Sequence, residues 1–491
     1  MTTLFPSVPS RSFPVDSRQH SPQPNRIEST SVHTNPVPTN PNPPDAGHPR
    51  WRTRGLALLI TLSLVGLLLG VGARDAIAHA GSSPALHNEA EPGDQSENTL
   101  IIWAGDKAHV HPDFVTVVDF DEHSPTYGKV LKTVPLTGPS AIGNEPHHVG
   151  LTVDGKTFAG GGLLSVLRGQ DQVFFFDVSQ PRNPQFVGSN NPPHASIADE
   201  FDSLSNGGFL ATFMGSPDGA NPGRLVEYDA HQNFVQAWPL DPPADGFDPH
   251  GLAIDEAHNL IVTSDFVCPL HTLVPDGGEV ILRGTVRVWD FQNRSIIRKI
   301  VVGDPANPSG TIDVGLIPGD PQLRAFTAGM ADNKLYLVDT QHGTATPVYD
   351  FSSFAVPGLP IWPQLFRINH DGTRLFITLN YSGHAGQVVQ FDISSPANPK
   401  VLSSVDLGPG SGPHYLRLTK DEKRLVVSDY FLVEDLVPPG VVNAEGDHKV
   451  HVFQVSPNHI TLDPRFDLDF NRDISTGPAR PHGFVFLRAA D

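Results

Sequence analysis

Short runs in which apolar and polar residues alternate recur along residues 99–491, and turn residues separate them. A period of two is typical of a β-strand with one buried face. One recurrent phrase is an apolar strand, a turn built around Asp, and a second strand. Clear copies are "HHVGLTVDGKTFAGG" (147–161), "HGLAIDEAHNLIVTSD" (250–265), "QLFRINHDGTRLFITLN" (364–380) and "HYLRLTKDEKRLVVSD" (414–429), with weaker copies at 194–201 and 312–320. These phrases predict β-hairpins.

A second phrase is an alternating strand that ends near an Asp, a turn and another strand. It occurs seven times, for example as "VFFFDVSQPRNPQFVG" (173–188), "TVRVWDFQNRSIIRKIVV" (285–302) and "QVVQFDISSPANPKVLSSV" (387–405). The two phrases alternate, and each pair supplies the four antiparallel strands of one propeller blade. The pattern therefore predicts an all-β fold, a single seven-bladed β-propeller over residues 99–491.

The two ends of this region predict how the ring closes. The C-terminal "HGFVFLRAAD" (482–491) is typical of a first strand with no second strand after it, whereas "TLIIWAG" (99–105) is typical of a second strand with no first strand before it. A last blade built from both ends would remove the exposed edges that an open sheet leaves. We therefore expect the N- and C-terminal strands to share one blade.

The residues before the propeller predict a tail and a membrane or signal segment. Residues 1–54 are rich in Pro, Ser, Thr and Asn and are predicted to be disordered, ending in the basic "RWRTR". Residues 55–73 form an uncharged apolar run long enough to span a bilayer. The arginines before this run predict that its N-terminal side stays in the cytoplasm. Residues 74–98 are predicted to form a linker.

Two fates of the apolar run remain open. The "AHA" at 78–80 resembles a signal-peptidase site, although a leader of this length is unusual, and an uncleaved anchor is the equal alternative. In both cases the propeller is predicted to be extracytoplasmic, which in a bacterium means periplasmic, either membrane-anchored or secreted. A membrane contact through 55–73 is expected only if the run is not cleaved.

Charge and cysteine content exclude several classes of function. The chain has 491 residues with 53 acidic and 33 basic side chains, a formal net charge of −20, which argues against a nucleic-acid partner. The single cysteine, Cys268, excludes a disulfide framework and a Cys-rich zinc site. We expect Cys268 to be a small buried residue.

Histidines recur at the predicted starts of first strands, usually after a proline. They are His147, His148, His194, His250, His414 and His482. The first strand of each blade lines the central channel, so these side chains are expected to converge. Clustered imidazoles repel when protonated and lose hydration when buried, and a metal would relieve both costs. The alternative is that Pro-His only begins a strand and the imidazole caps a turn.

Several imidazoles without thiolates suit copper, zinc, iron or nickel, and the general order of affinities favours copper. Glu145, Glu200 and Asp248 could accept hydrogen bonds that fix imidazole tautomers, or they could be turn caps or solvated carboxylates. The remaining histidines of interest are expected at the surface; they are His271, His370, His384, His448, His451 and His459.

The ordered series of motifs resembles the selenium-binding protein or methanethiol oxidase family. The cues are "HHVG" (147–150), the strand with "VWD" (288–290), "QFDISSPANP" (390–399) and the end "LDPRFDLDFNRDISTGPARPHGF" (462–484). The resemblance implies a seven-bladed propeller that oxidises methanethiol to formaldehyde, hydrogen sulfide and hydrogen peroxide, with copper held by histidines. Matching motifs imply the ligands His147, His148, His194 and His482.

Two departures from the family pattern affect the site. His250 and His414 lie where the family has other residues, and they could add ligands or substrate contacts. The cysteine that follows the double histidine in the family is absent from "LTVDGKTFAGGG" (151–162), so covalent selenium binding is not expected.

The functional hypothesis is a copper-dependent oxidase of small thiols outside the cytoplasm, with Glu145 or an uncoordinated histidine as the general base. The second hypothesis is a non-catalytic, membrane-tethered propeller that binds a small molecule or handles metal. A divalent-metal lactonase is a third, less favoured, because such sites need converging Glu, Asp and Asn. The sequence identifies no protein partner.

Overall fold

The computed structural model describes residues 97–273, 280–381, 384–430 and 446–489. The predicted tail, the apolar run 55–73 and nearly all of the linker lie outside the described residues. Among the residues described, no helix has the length and apolar character needed to cross a membrane. The helices that are described are short and are Ser165–Arg168, Pro269–Leu273 and Phe351–Phe354.

The strands are numbered in chain order. The first fifteen are β1 (Thr99–Asp106), β2 (Phe114–Asp119), β3 (Val130–Pro135), β4 (Pro146–Leu151), β5 (Thr157–Gly162), β6 (Val173–Asp177), β7 (Gln185–Asn190), β8 (Ser196–Ser203), β9 (Phe209–Gly215), β10 (Arg224–Tyr228), β11 (Phe234–Trp238), β12 (Pro249–Asp255), β13 (Leu260–Val267), β14 (Leu282–Asp290) and β15 (Ser295–Val301). The others are β16 (Gly303–Asp304), β17 (Asn307–Pro308), β18 (Thr311–Leu316), β19 (Ala325–Gly329), β20 (Lys334–Asp339), β21 (Thr344–Asp350), β22 (Trp362–Ile368), β23 (Arg374–Asn380), β24 (Gly386–Asp392), β25 (Lys400–Asp406), β26 (Pro413–Leu418), β27 (Arg424–Asp429), β28 (Lys449–Val455), β29 (Ile460–Leu462), β30 (Leu468–Asp469) and β31 (Ala479–Leu487).

Within the described residues these strands form seven antiparallel blades and one small hairpin, β16 with β17. Blades 1 to 6 are β4–β7, β8–β11, β12–β15, β18–β21, β22–β25 and β26–β29, and β30 pairs with β28 in blade 6. The closing blade has the order β3-β2-β1-β31, so it joins the two ends of the propeller. In it, Ile102 pairs with Phe484. The predicted seven-bladed propeller and its closure by terminal strands are both confirmed.

Burial follows the position of each strand in its blade. The inner strands are almost wholly buried, as β8 and β9 show, whereas the outermost strands alternate between half-buried and exposed residues, as β7 and β15 show. The blades pack through large buried aromatic rings, among them Trp103 and Trp289. The apolar core therefore lies between the blades. At the central channel, buried polar side chains need one another as hydrogen-bond or ion-pair partners.

Each innermost strand changes its pairing register once, within its first three residues. The shift follows Pro146, Ala198, Pro249, Thr311, Pro363, Pro413 and Pro481. We call the next residue the bulge position; its occupants are His147, Asp199, His250, Ile312, Gln364, His414 and His482. A β-bulge bends the strand and redirects its side chain, which is why bulges are common beside functional sites.

Hydroxyl groups of the neighbouring blade hold several bulge positions in place. The donor lies on the second strand of one blade, and the acceptor is the backbone carbonyl at the bulge position of the next blade. Thr212 Oγ1 donates to His250 at 2.6 Å, Thr378 Oγ1 to His414 at 2.8 Å and Ser428 Oγ to His482 at 2.7 Å. The backbone of these histidines is therefore tied to the scaffold.

Candidate metal centre

The innermost strands bring five of the six predicted histidines together. His147 and His148 come from β4, His250 from β12, His414 from β26 and His482 from β31, and each is at most 6% exposed. The ring centroid of His482 lies 4.2 Å from that of His147 and 4.9 Å from that of His414. The expected convergence of these five side chains is thus a feature of the structure.

His194 is not in this cluster. It is exposed, its φ is 68°, and it precedes β8, which begins at Ser196. The bulge of β8 comes after Ala198, so the residue that occupies the channel position of this blade is Asp199. The structure therefore corrects the expectation that His194 opens an innermost strand, and it supplies a carboxylate in its place.

Asp199 links three of the histidines. Its Oδ1 lies 2.7 Å from His148 Nδ1, and its Oδ2 lies 3.2 Å from His250 Nε2 and 3.6 Å from His147 Nε2. One potential ligand atom from each of these four residues lies within 4.8 Å of the others. Although burial alone would raise the pKa of Asp199, the neighbouring imidazoles hold it well below its usual range. A buried carboxylate is thus held in its charged form.

His148 and His414 direct their Nε2 atoms at each other, 3.4 Å apart. The Nδ1 of His148 is held by Asp199 and by Glu200 Oε2 at 3.1 Å, and the Nδ1 of His414 contacts Gln364 Oε1 at 3.0 Å. Acceptors at Nδ1 fix the tautomer that leaves Nε2 available to a cation. With His482, these two side chains form a second group whose ligand atoms lie within 4.8 Å.

The protonation states suit a metal. Burial, and then the charge of nearby imidazoles, holds the pKa of His414 and His482 well below its usual range, and burial lowers the pKa of His250 to about 4. These imidazoles are therefore neutral near pH 7, which is the form that binds metal. For His148, burial opposes the charge, but Asp199 and Glu200 raise its pKa to about 9. His148 is therefore mostly protonated near pH 7 when no cation is bound, and a cation would have to displace that proton.

Several buried nitrogen atoms also lack a hydrogen-bond partner among the described residues. They are Nδ1 of His147, Nδ1 of His250 and both ring nitrogens of His482. A buried polar atom without a partner costs free energy, and coordination would offset this cost. The residues present therefore fit a transition metal with imidazole ligands.

A network of ion pairs supports the cluster from blades 2, 4 and 5. Arg367 Nη2 lies 3.1 Å from Glu200 Oε1, and its Nη1 lies 3.3 Å from Asp313 Oδ2. Burial opposes the charge of Glu200, but Arg367 and then His148 lower its pKa to about 2. The expectation that Glu200 contacts a histidine agrees with this geometry. Asp248 instead pairs with Arg283 at 2.5 Å.

Glu145 does not have the properties expected of a general base. Its Oε2 accepts from Arg480 at 3.0 Å and contacts His109 Nε2 at 3.1 Å. Burial opposes its charge, but Arg480 and His109 lower its pKa to about 2. Such a carboxylate is a weak proton acceptor near pH 7, so the structure assigns Glu145 to an ion pair beside the cluster.

Two of the histidines expected at the surface are not exposed. His448 is completely buried and His451 is only 13% exposed, with its Nε2 at 3.1 Å from Asp429 Oδ2. His370, His384 and His459 are exposed, as expected. The side chain of His271 is outside the described residues.

The propeller and its histidine cluster agree with the comparisons to known proteins. A family model described as "56kDa selenium binding protein (SBP56)" matches residues 82–489. The chain belongs to this family. The methanethiol oxidase of Rattus norvegicus is 24% identical over 433 residues, which covers 76% of this chain and 88% of the relative. Selenium-binding protein 2 of Mus musculus is 23% identical over 442 residues, with the same coverage of 76% and 88%.

Solved structures support the fold of this selenium-binding protein family member. A hypothetical selenium-binding protein from Sulfolobus tokodaii superposes with a TM-score of 0.66 at 17% identity and covers 80% of this chain and 94% of its own. The periplasmic gluconolactonase of Pseudomonas aeruginosa has a TM-score of 0.54 at 12% identity, covering 80% and 99%. At these identities the likeness concerns the fold alone.

Proposed function

We propose that this selenium-binding protein family member is a copper-dependent oxidase of small thiols, of the methanethiol type, that works outside the cytoplasm. The observation that carries the proposal is the cluster of five buried histidines, in which His148 and His414 aim Nε2 at one point. The names of the relatives, several of which are methanethiol oxidases, suggest the substrate class.

The donor set favours copper over harder cations. Its ligand atoms are imidazole nitrogens with one carboxylate, and among divalent metals copper binds such sites most tightly, while zinc or another divalent metal can occupy the same ligands. His148, His414 and His482 would hold the metal, with His147, His250 and Asp199 beside it. When bound, copper would supply the change of redox state that thiol oxidation by dioxygen requires.

His147 is the proton acceptor in this proposal. Burial lowers its pKa, so its ring is neutral near pH 7, and its Nδ1 has no hydrogen-bond partner within the described part of the chain. It can therefore take the proton from the S–H group of a bound thiol. This assignment replaces Glu145, whose charge is held by Arg480. The balanced reaction converts methanethiol, dioxygen and water into formaldehyde, hydrogen sulfide and hydrogen peroxide.

The first test is metal content and turnover of the same preparation. We expect near-stoichiometric copper with nitrogen hyperfine structure in the Cu(II) EPR spectrum, and oxygen consumption when methanethiol is added. The variant His414→Ala, His482→Ala should lose both the copper signal and the turnover. His194→Ala is the matched control, because it removes an exposed histidine outside the cluster and should change neither.

Two other outcomes would contradict the proposal in different ways. Copper that binds through the cluster without any thiol-dependent oxygen uptake would favour the non-catalytic propeller that handles metal. If the double substitution leaves the copper content unchanged, the histidine cluster is not the copper site.

The extracytoplasmic location is supported by the apolar run 55–73 and the arginines that precede it. Alkaline phosphatase fused after residue 491 should be active in a Gram-negative host, because this reporter folds only where disulfides form. An inactive phosphatase fusion, with an active cytoplasmic reporter at the same position, would refute the location.

A further inference from the structure

A second group of potential ligands lies in blade 6 and is distinct from the histidine cluster. Asp429 ends β27, Asp447 precedes β28, and His451 belongs to β28. His451 Nε2 lies 3.1 Å from Asp429 Oδ2, and one ligand atom from each of the three residues lies within 4.8 Å of the others. We call these three residues the blade 6 site.

The pairing of β27 and β28 explains why Asp429 and His451 meet. Val427 pairs with His451 in the antiparallel ladder of β27 and β28. Residues 427 and 429 share one face of β27, since side chains alternate along a strand, so Asp429 is a diagonal neighbour of His451 on that face. The contact is thus set by the sheet itself and not by a surface loop.

Asp429 provides an independent observation that points to a ligand. Its side chain is completely buried, and its Oδ1 has no hydrogen-bond partner in the described parts of the chain. A buried carboxylate oxygen that lacks a donor is costly, and the second carboxylate of Asp447 beside it adds repulsion. A cation at this point would satisfy the oxygen and attract both carboxylates.

We propose that Asp429, Asp447 and His451 bind a divalent transition cation of the zinc or manganese class. Two carboxylates and one imidazole form a harder donor set than the histidine cluster, and this set suits borderline and hard divalent cations. The side chain of His451 is 13% exposed and that of Asp447 is 25% exposed, so a cation can enter from solvent.

Substitution of Lys449 tests the proposal, because a cation site predicts a specific direction of change in cation affinity. Its Nζ lies 2.6 Å from Asp447 Oδ2, and its side chain is 41% exposed. In the register of β28 and β30 it also pairs with Asp469. A cation at the blade 6 site must compete with this ammonium group for Asp447. Removing the ammonium should therefore strengthen cation binding, whereas a purely structural ion-pair cluster would only become less stable.

The test uses the full chain with the His414→Ala, His482→Ala substitutions, so that the histidine cluster is impaired. The metal-free protein is titrated with Co²⁺, which reports coordination through its visible ligand-field absorption. We expect one equivalent of Co²⁺ whose binding depends on Asp429 and His451, in addition to any Co²⁺ that the remaining ligands of the histidine cluster retain. Asp429→Asn and His451→Gln should each weaken binding by about tenfold or more. Lys449→Gln should strengthen it, and thermal unfolding of each variant checks that it is folded.

The absence of Co²⁺ binding in the protein with the impaired cluster would overturn the proposal, as would binding that Asp429→Asn and His451→Gln leave unchanged. If the Asp429→Asn protein does not fold, the Lys449→Gln protein still decides the matter. An affinity that rises supports the site, and an affinity that is unchanged or lower refutes it.

Discussion

Arg367 is the side chain whose removal should most clearly expose the role of the ion pairs behind the histidines. It contacts Glu200 at 3.1 Å and Asp313 at 3.3 Å, and both carboxylates are buried. The change Arg367→Met keeps an unbranched side chain but removes the guanidinium group and its charge. Removing one partner of a buried ion pair costs roughly 3–5 kcal/mol, because the other charge is left uncompensated. Arg417, at 3.9 Å from Glu200, compensates only part of this loss.

The cost can be converted into a shift of the melting temperature. Unfolding entropy near 60 °C is roughly 2.1 cal/mol/K per residue, which for residues 97–489 gives about 0.8 kcal/mol/K. The Arg367→Met protein should therefore melt about 4–6 °C below the wild type. Copper affinity should fall by about tenfold or more, because Glu200 would no longer be held against His148.

The assay is thermal unfolding followed by circular dichroism, with copper titration of the same proteins. Arg465→Met is the matched control. Arg465 also contacts two carboxylates, Asp463 at 2.7 Å and Glu122 at 3.4 Å, but its side chain is 56% exposed. Exposed pairs contribute about 0–1 kcal/mol, so the control should melt within about 1 °C of the wild type. If Arg367→Met melts as close to the wild type as this control does, the buried ion pairs do not make the contribution to the free energy of unfolding that we assign to them.

Three further changes test other parts of the structure. Ser428→Ala removes the hydroxyl group that donates to the His482 carbonyl oxygen at 2.7 Å. The free energy of unfolding in urea should fall by about 1–3 kcal/mol, because this carbonyl would lose its partner. An unchanged urea midpoint would contradict the role of the hydroxyl. Gly208→Ala would place a Cβ 2.1 Å from the Tyr228 carbonyl oxygen, so the blade must distort and the melting temperature should fall; a protein as stable as wild type would refute this close approach. The lowered pKa of Glu145, about 2 against 4.5, should give about 3 kcal/mol of stability above pH 4.5 that is lost as the pH falls toward 2. Glu145→Gln should be less stable at pH 7 and vary less over that window, and an equal acid sensitivity of the two proteins would argue against the shift.

The architecture could be predicted because its signals are local and repeated. Each blade shows the same alternation and the same turn residues, so an error in one copy does not change the count. The closure of the ring was predictable for a similar reason, since "TLIIWAG" (99–105) and "HGFVFLRAAD" (482–491) are complementary halves of one blade. β1 and β31 do pair in the structure.

The composition of the histidine cluster could be predicted only in part. Four of the histidines directly follow the residue that precedes the bulge and His148 comes one position later, so their convergence follows from the repeat. In blade 2 the register shift comes after Ala198, and both His194 and Ile197 have positive φ, so the Pro-His phrase lies outside the strand. Aligning the innermost strands on the apolar residue after the bulge, as in "PHHV" and "ADEF", would have identified Asp199.

The ion pairs could not be predicted, because they join distant parts of the chain. Glu145 and Arg480 are 335 residues apart, and Glu200 and Arg367 are 167 apart. No local pattern states which carboxylate meets which guanidinium across the channel. Glu145 therefore looked like a reactive carboxylate beside the double histidine, and only the three-dimensional contacts show that its charge is already matched.

The blades without a histidine decide between the two interpretations of the Pro-His phrase. Blade 5 has the same bulge after Pro363, but its next residue is Gln364, and blade 4 has the bulge after Thr311 with neither a proline nor a histidine. The bulge therefore needs no imidazole in order to form. The histidines come from consecutive blades around the ring, from blade 6 through the closing blade to blade 3, interrupted only by Asp199. Burying clustered imidazoles is costly, and the fold does not require them. Their presence on one arc of the channel therefore favours a bound cation over the alternative that Pro-His only begins a strand.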